Sequence, residues 1–224
     1  MPQSLEGDYS NYPDAIRGTF PYIAGETCQL RQAWSAYHRL FMEDRRLTGV
    51  MSQRLGRLLG LLQTMLQDAM FLSIARLTDK NSHSQPNLSV WCLEEAISFG
   101  RKPEFPTKVR QSLCDIWTAA ENIRKHRHKR IAHFDRNVSL KVVPLPQVRV
   151  AEIKVLIEMI ERFLNLFFWE FERLTMRFDM LRGHEITSGA EVTAFKALTY
   201  DLFEQSGTIP HNEWRKQHKK IAAE

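Results

Sequence analysis

Apolar residues recur at three- and four-residue spacing along most of the chain, the period of helices that bury one face. From Glu26 to Arg46 the stripe is Leu30, Ala33, Trp34, Tyr37 and Phe41. A longer one runs from about Val50 to Asp79 through Leu55, Leu58, Leu59, Leu62, Met65, Leu66, Ala69, Met70 and Ile74. The polar run from Lys80 to Asn87 breaks it, and Ser89 can cap a short helix reaching Phe99. Gly100, Pro103 and Pro106 interrupt the chain again before a helix predicted from Thr107 to Phe134. After a link holding Pro144 and Pro146, a strongly amphipathic helix is predicted from Val150 to about Arg182. Its stripe is Ile153, Leu156, Ile157, Ile160, Phe163, Leu164, Phe167, Phe171 and Leu174, and Gly183 ends it. Ser188 and Glu191 form a capping box opening a last helix to about Gln205. Only Ser139 to Val143 has any β character.

This pattern predicts an all-α fold, an antiparallel up-and-down helical bundle with extra short helices. Residues 1–25, rich in Pro and Gly, are expected to form an extended arm that can dock on the rest, and residues 26–182 the bundle. Residues 183–224 are expected to add a C-terminal helix and basic tail packed on the same domain.

Charge changes the picture. The chain carries +5 over 224 residues. The window Arg124 to Arg136 holds six Lys or Arg residues and one acid, which is again +5, so the rest is neutral overall. Such concentration suits an anionic partner, nucleic acid above all, although a solvated basic helix face has the same composition. Cys28, Cys92 and Cys114 are odd in number, scattered and outside any CxxC pair, as expected of free thiols. The oily run Phe163 to Trp169 is too short to span a bilayer, and no signal peptide is expected. These features predict a cytoplasmic protein with no membrane association.

Within the basic window, the stripe Val109, Leu113, Ile116, Trp117, Ala120 and Ile123 continues onto Arg127. An unpartnered buried guanidinium costs on the order of 3–5 kcal/mol, so Arg127 must meet a carboxylate or face a groove that receives an anion. His133 lies six residues on, about 120° round and about 9 Å up a straight helix, so one chain separates the two tips unless the helix kinks. His126, Arg130 and His133 share a flank, and a two-fold axis beside it would bring two such clusters into one cleft. Imidazole and guanidinium are the groups that RNA cleavage without a metal needs. One moves the 2′-hydroxyl and leaving-group protons; the other offsets charge on the phosphorane.

Arg76 and Asp79, three apart at the end of the second long helix, are read first as an intrahelical ion pair. The alternative has Asp79 orienting a motif histidine or partnering Arg127. No acidic or His cluster has metal-ligand spacing, Gly56 and Gly60 lie within a helix, and no metal or organic cofactor is expected.

The run Arg127, His128 and, after four further residues, His133 resembles the Arg–polar–His signature of the HEPN superfamily. Three segments resemble its abortive-infection, AbiU-type branch: Trp34 to Phe41, Leu72 to Asp79 and Arg130 to Asp135. The resemblance covers roughly Glu26 to Leu181. It implies a dimerising helical bundle in which the motifs of two protomers meet, and a metal-independent endoribonuclease of toxin–antitoxin or phage-defence type with an antitoxin protein as possible partner. Carried over by position, His133 is the general acid or base, Arg127 holds the scissile phosphate and His128 occupies the variable polar slot. Arg124, His126 and Arg130 crowd the motif and join His128 as candidate phosphate contacts; the register can also be read as Arg124 to Arg130 with His133. Two other readings stay open. One is a non-catalytic module binding RNA or an acidic protein; the other is a structural dimer whose basic window pairs with its own carboxylates.

Overall fold

The computed structural model describes residues 5–43, 45–80, 87–132, 135–140 and 142–178. The fold is all-α, and no strand occurs among the described residues. In chain order the helices are α1 (Asp14–Arg17), α2 (Phe20–His38), α3 (Arg45–Thr78), a 3₁₀ helix (Val90–Phe99), α4 (Phe105–Ala119), α5 (Glu121–His126), α6 (Arg136–Ser139) and α7 (Val150–Phe167). Wider π turns cover Arg39–Glu43, Arg127–Ala132 and Phe168–Glu172. His133, the expected helix 188–205 and the basic tail lie outside the described residues.

Two compact units divide the chain: Met1–Trp34 with Gln67–Asp179, and Ser35–Leu66 with Met180–Glu224. In the first, α4 packs on α7 through the stripes read from sequence. Val109, Leu113 and Ile116 are buried on one side, and Ile153 through Phe167 on the other. Residues 5–25 are not an extended arm. Tyr12, Ile16 and Phe20 repeat every four residues and are at most 1% exposed. Tyr12 stacks on Phe20 at 4.6 Å and on Phe171 at 5.2 Å, and Phe20 meets Phe168 at 5.0 Å. Helix α2 begins six residues before the expected start, because Pro21 falls in its first turn, where a missing N–H leaves no bond unmade.

Three other boundaries differ. The expected helix 107–134 is interrupted at Ala120 (φ −85°, ψ −1°) and widens into the π turn at Arg127. The described residues of the segment 139–143 form no strand; Arg136–Ser139 is a single helical turn. Helix α7 and its π turn end at Arg173, in the left-handed region (φ 58°), rather than at Gly183. Asn165 holds the returning chain there, donating to the Met176 carbonyl (3.1 Å) and accepting the Met176 N–H (2.7 Å). Leu174 is left 43% exposed.

In the second unit, the part of α3 before Leu66 carries a kink at Leu55 (φ −114°, ψ 20°). Gln63 Nε2 donates to Tyr37 Oη at 3.3 Å, and Tyr37 stacks on Phe41. Met65, expected in the core, is 58% exposed, and Leu58 and Leu61 lie beside it in the open. The stretch Leu55–Thr78 is long and apolar enough to cross a membrane by length and composition, with mean hydropathy 1.4. It also carries Asp68 and Arg76 in ion pairs and buries Met70, Ile74 and Leu77, with 33% of its apolar window buried.

Candidate functional site

The site begins with the Ala75-Arg76-Leu77-Thr78-Asp79 end of α3. Ala75, Leu77 and Thr78 are at most 1% exposed, so the helix end is anchored in the core of the first unit. The Asp79 N–H closes the helix onto the Ala75 carbonyl at 2.8 Å. Fixed in this way, Asp79 presents its carboxylate to Arg127, and Nη2 of Arg127 donates to Oδ2 of Asp79. The two side chains are 23% and 29% exposed, so the pair is screened by protein but still touches solvent. An intrahelical Arg76–Asp79 pair is therefore not what forms. Arg76 reaches the nearly buried Glu26 on α2 instead, with Ser73 Oγ at 3.3 Å.

Arg124 lies one turn before Arg127. Its Nη2 donates to the Trp117 carbonyl at 2.7 Å, and Nη1 reaches Thr78 Oγ1 at 3.5 Å. Its guanidinium carbon sits 3.5 Å from the centroid of the Trp117 ring. Burial lowers the Arg124 pKa, Asp79 and Glu121 oppose that, and Arg127 adds to it. A guanidinium so far above neutrality keeps its charge through such a shift. Arg130 is exposed, donates to Asp68 on α3 and lies 5.9 Å from the Phe71 ring.

The histidines divide. His126 is part-buried: its Nε2 is 2.7 Å from the Pro146 carbonyl, so that nitrogen carries the proton, and Nδ1 is enclosed without a partner. Its ring stands edge-on to Phe71 at 5.3 Å. That arrangement fixes the link before α7 and leaves no N–H to offer a phosphate. His128 is exposed on the π turn. The π turn is closed by the Asp135 N–H bonding the Lys129 carbonyl at 3.2 Å. Single π turns inserted in α-helices often mark functional sites, but the described residues hold three, so the turn alone does not identify one.

Asp68 and the cluster of Lys80, Trp91 and Trp117 escaped the sequence reading as site residues. Asp68 pairs with Arg130. Lys80 lies with its Nζ 4.6 Å from the Trp91 ring and 4.8 Å from the Trp117 ring, which meet nearly at right angles. The seven-residue interval from Trp117 to Arg124 places both on one helix face and was the available signal. A cavity of about 210 Å³ borders Asp79, lined also by Tyr22, Glu26, Arg76 and Leu88. Among the described residues no three His, Cys, Asp or Glu side chains gather as a cation site.

Chemically, the cluster holds three guanidiniums on one turn and a half, each oriented by a fixed acceptor and each with donors left over. Among known proteins, the model of the HEPN-type AbiU2 family matches residues 14–189. No curated protein and no solved structure matches the chain.

Proposed function

This chain belongs to the AbiU2 family of HEPN type, an abortive-infection family, and on that footing we propose that it is a metal-independent endoribonuclease acting in the cytoplasm. The observation that carries the reading is the meeting of α3 with the basic turn: Asp79 aims Arg127, and Thr78 supports Arg124. The Leu72 to Asp79 segment thus meets the arginine that opens the Arg–polar–His run at one partly exposed spot.

In this reading Arg127 grips a non-bridging phosphate oxygen, with Asp79 holding its fork in register. His133 accepts the 2′-hydroxyl proton as that oxygen attacks phosphorus, or returns a proton to the departing 5′-oxygen. The products are a 2′,3′-cyclic phosphate and a free 5′-hydroxyl. Arg124 and Arg130 offset charge on neighbouring phosphates, and His128 lines the approach. A second copy of the chain completes the cleft, and an antitoxin protein that covers it silences the activity.

A second reading has a specific observation behind it. Arg127 and Arg130 are each paired with an aspartate of the same chain, which offsets the net charge of those two residues. A non-catalytic module, docking RNA or an acidic protein through the rest of the window, uses the same residues without chemistry.

Degradation of bulk cellular RNA by the purified protein in EDTA, wild type beside His133→Ala, separates the two. Cleavage that survives EDTA and disappears in the variant supports the ribonuclease. Binding without cleavage by either protein supports the module.

A further inference from the structure

Trp91, Lys80, Trp117 and Arg124 form a corner of aromatic and cationic groups beside the Arg127–Asp79 pair. Lys80 follows Asp79 in the chain, and Arg124 precedes Arg127 by one turn. The two indoles meet at 80° with centroids 6.1 Å apart, too close and too steep to sandwich a third ring between them. Trp91 is locked by its Nε1 donating to the Thr78 carbonyl at 3.1 Å, which ties the corner to the same helix end that carries Asp79. Both indoles are half-buried, so each keeps some ring surface in the open. Lys80 is exposed and reaches the corner on a flexible stem. Next to it opens a cleft of about 510 Å³ lined by Lys80, Trp91, Glu94 and Glu95.

We infer that this corner is a base-stacking subsite for single-stranded RNA, taking a nucleobase next to the phosphate that Arg127 holds. The inference rests on the proposed action on RNA and specifies where a base is gripped. An indole face accepts any base, and a lysine lying over it can swing out to the following phosphate as the base arrives. Arg124 backs Trp117 with a delocalised cation, which keeps that ring oriented while the base docks. Glu94, which also faces Arg110 at 3.8 Å, and Glu95 offer only acceptors, so the base edge facing the cleft presents an N–H donor. A purely structural cation–aromatic cluster explains the ring geometry equally well, but would not distinguish ligands by their bases.

The test uses the full chain and an octamer of 2′-O-methyladenosine, which lacks the attacking hydroxyl and is not cut, beside an octamer of the same backbone with abasic central positions. Affinity is read by anisotropy of the labelled strand, and stacking by quenching of indole fluorescence. Expected are quenching by the adenosine octamer only, and binding about tenfold weaker for the abasic strand. Trp117→Leu should bind both strands equally, and Trp117→Tyr should restore most of the difference. Equal binding of the two strands by the wild type, without quenching, overturns the subsite while leaving action on RNA intact. No binding of either strand overturns the subsite and the RNA reading together. If Trp117→Leu fails to fold, the wild-type comparison of the two strands still decides.

Discussion

Asp79 is the residue on which structure and proposed chemistry most nearly coincide. A hydrogen bond between charged partners contributes about 1.5–3 kcal/mol when screened from water, and less at a site still about a quarter exposed. Asp79→Asn should therefore cost only about 1 kcal/mol of stability by thermal unfolding. The same change frees the Arg127 fork, and EDTA-resistant cleavage should fall at least tenfold while RNA affinity changes by a few-fold. Cleavage at the wild-type rate would mean that Asp79 serves folding alone. Tyr12 offers a contrasting case: its hydroxyl is buried in the aromatic core without a partner, and burial raises its pKa. Cys28, also buried, is pushed up to about 12 from an ordinary 9.0. Both groups keep their protons in the folded protein at a pH where the unfolded chain releases them. The sign follows: their stabilisation is complete below about pH 9 and declines as pH rises toward 12. Tyr12→Phe removes an unsatisfied polar atom and one of the two alkaline liabilities. It should raise stability at pH 7 by about 1 kcal/mol, or a Tm gain of about 2–4 °C, and flatten the loss above pH 10, where tyrosine ordinarily titrates. A drop in Tm would show that the hydroxyl has a partner after all.

Elements with a strict apolar period were legible from sequence: the stripes of α4 and α7 are buried at the positions that spacing assigns. Departures arose where a local bond outcompetes the period. The break at Ala120 coincides with Arg124 folding back onto the Trp117 carbonyl, and the early end of α7 with Asn165 pinning Met176. Spacing can place Arg124 and Trp117 on one face, but the spacing of apolar residues does not encode a bond that breaks the helix or pins the returning chain. The arm was misread because proline was weighed as a breaker, when in a first turn it is permitted. Of the site, Arg127 could be seen to need a partner, but the choice between Asp79 and a groove depends on where α3 ends in space. The loop before α4 shows the same kind of dependence. Glu170, 2% exposed on the π turn after α7, accepts the N–H groups of Arg101 and Lys102. Just before them, a Cβ on Gly100 would come within 2.3 Å of the buried Phe105 ring. Glu170→Ala strands two backbone donors and should cost about 2–4 kcal/mol, whereas Glu170→Gln keeps an acceptor and should cost less than half of that. Denaturant midpoints at constant m-value measure both, and equal losses would place the effect in packing instead.

At the scale of the whole molecule the question is whether one chain holds a complete site. On a straight helix the Arg127 and His133 tips point apart, which argues for a cleft shared by two copies. The helix is not straight there: the π turn covers Arg127–Ala132, and the departure bears directly on that argument. Mixing two dead proteins decides between a shared and a self-contained site. Suppose each site draws its arginine from one protomer and its histidine from the other. After subunit exchange between Arg127→Ala and His133→Ala, half the dimers are mixed, and each mixed dimer has one site with both residues intact. Activity should then return to about a quarter of the wild-type level from two inactive parents. If arginine and histidine act within one chain, no combination restores a site, and the mixture stays as inactive as its components. Co-purification of the untagged parent with a tagged one confirms that exchange occurred, so inactivity in exchanged dimers would assign the whole motif to a single protomer and make dimerisation a matter of stability rather than of chemistry.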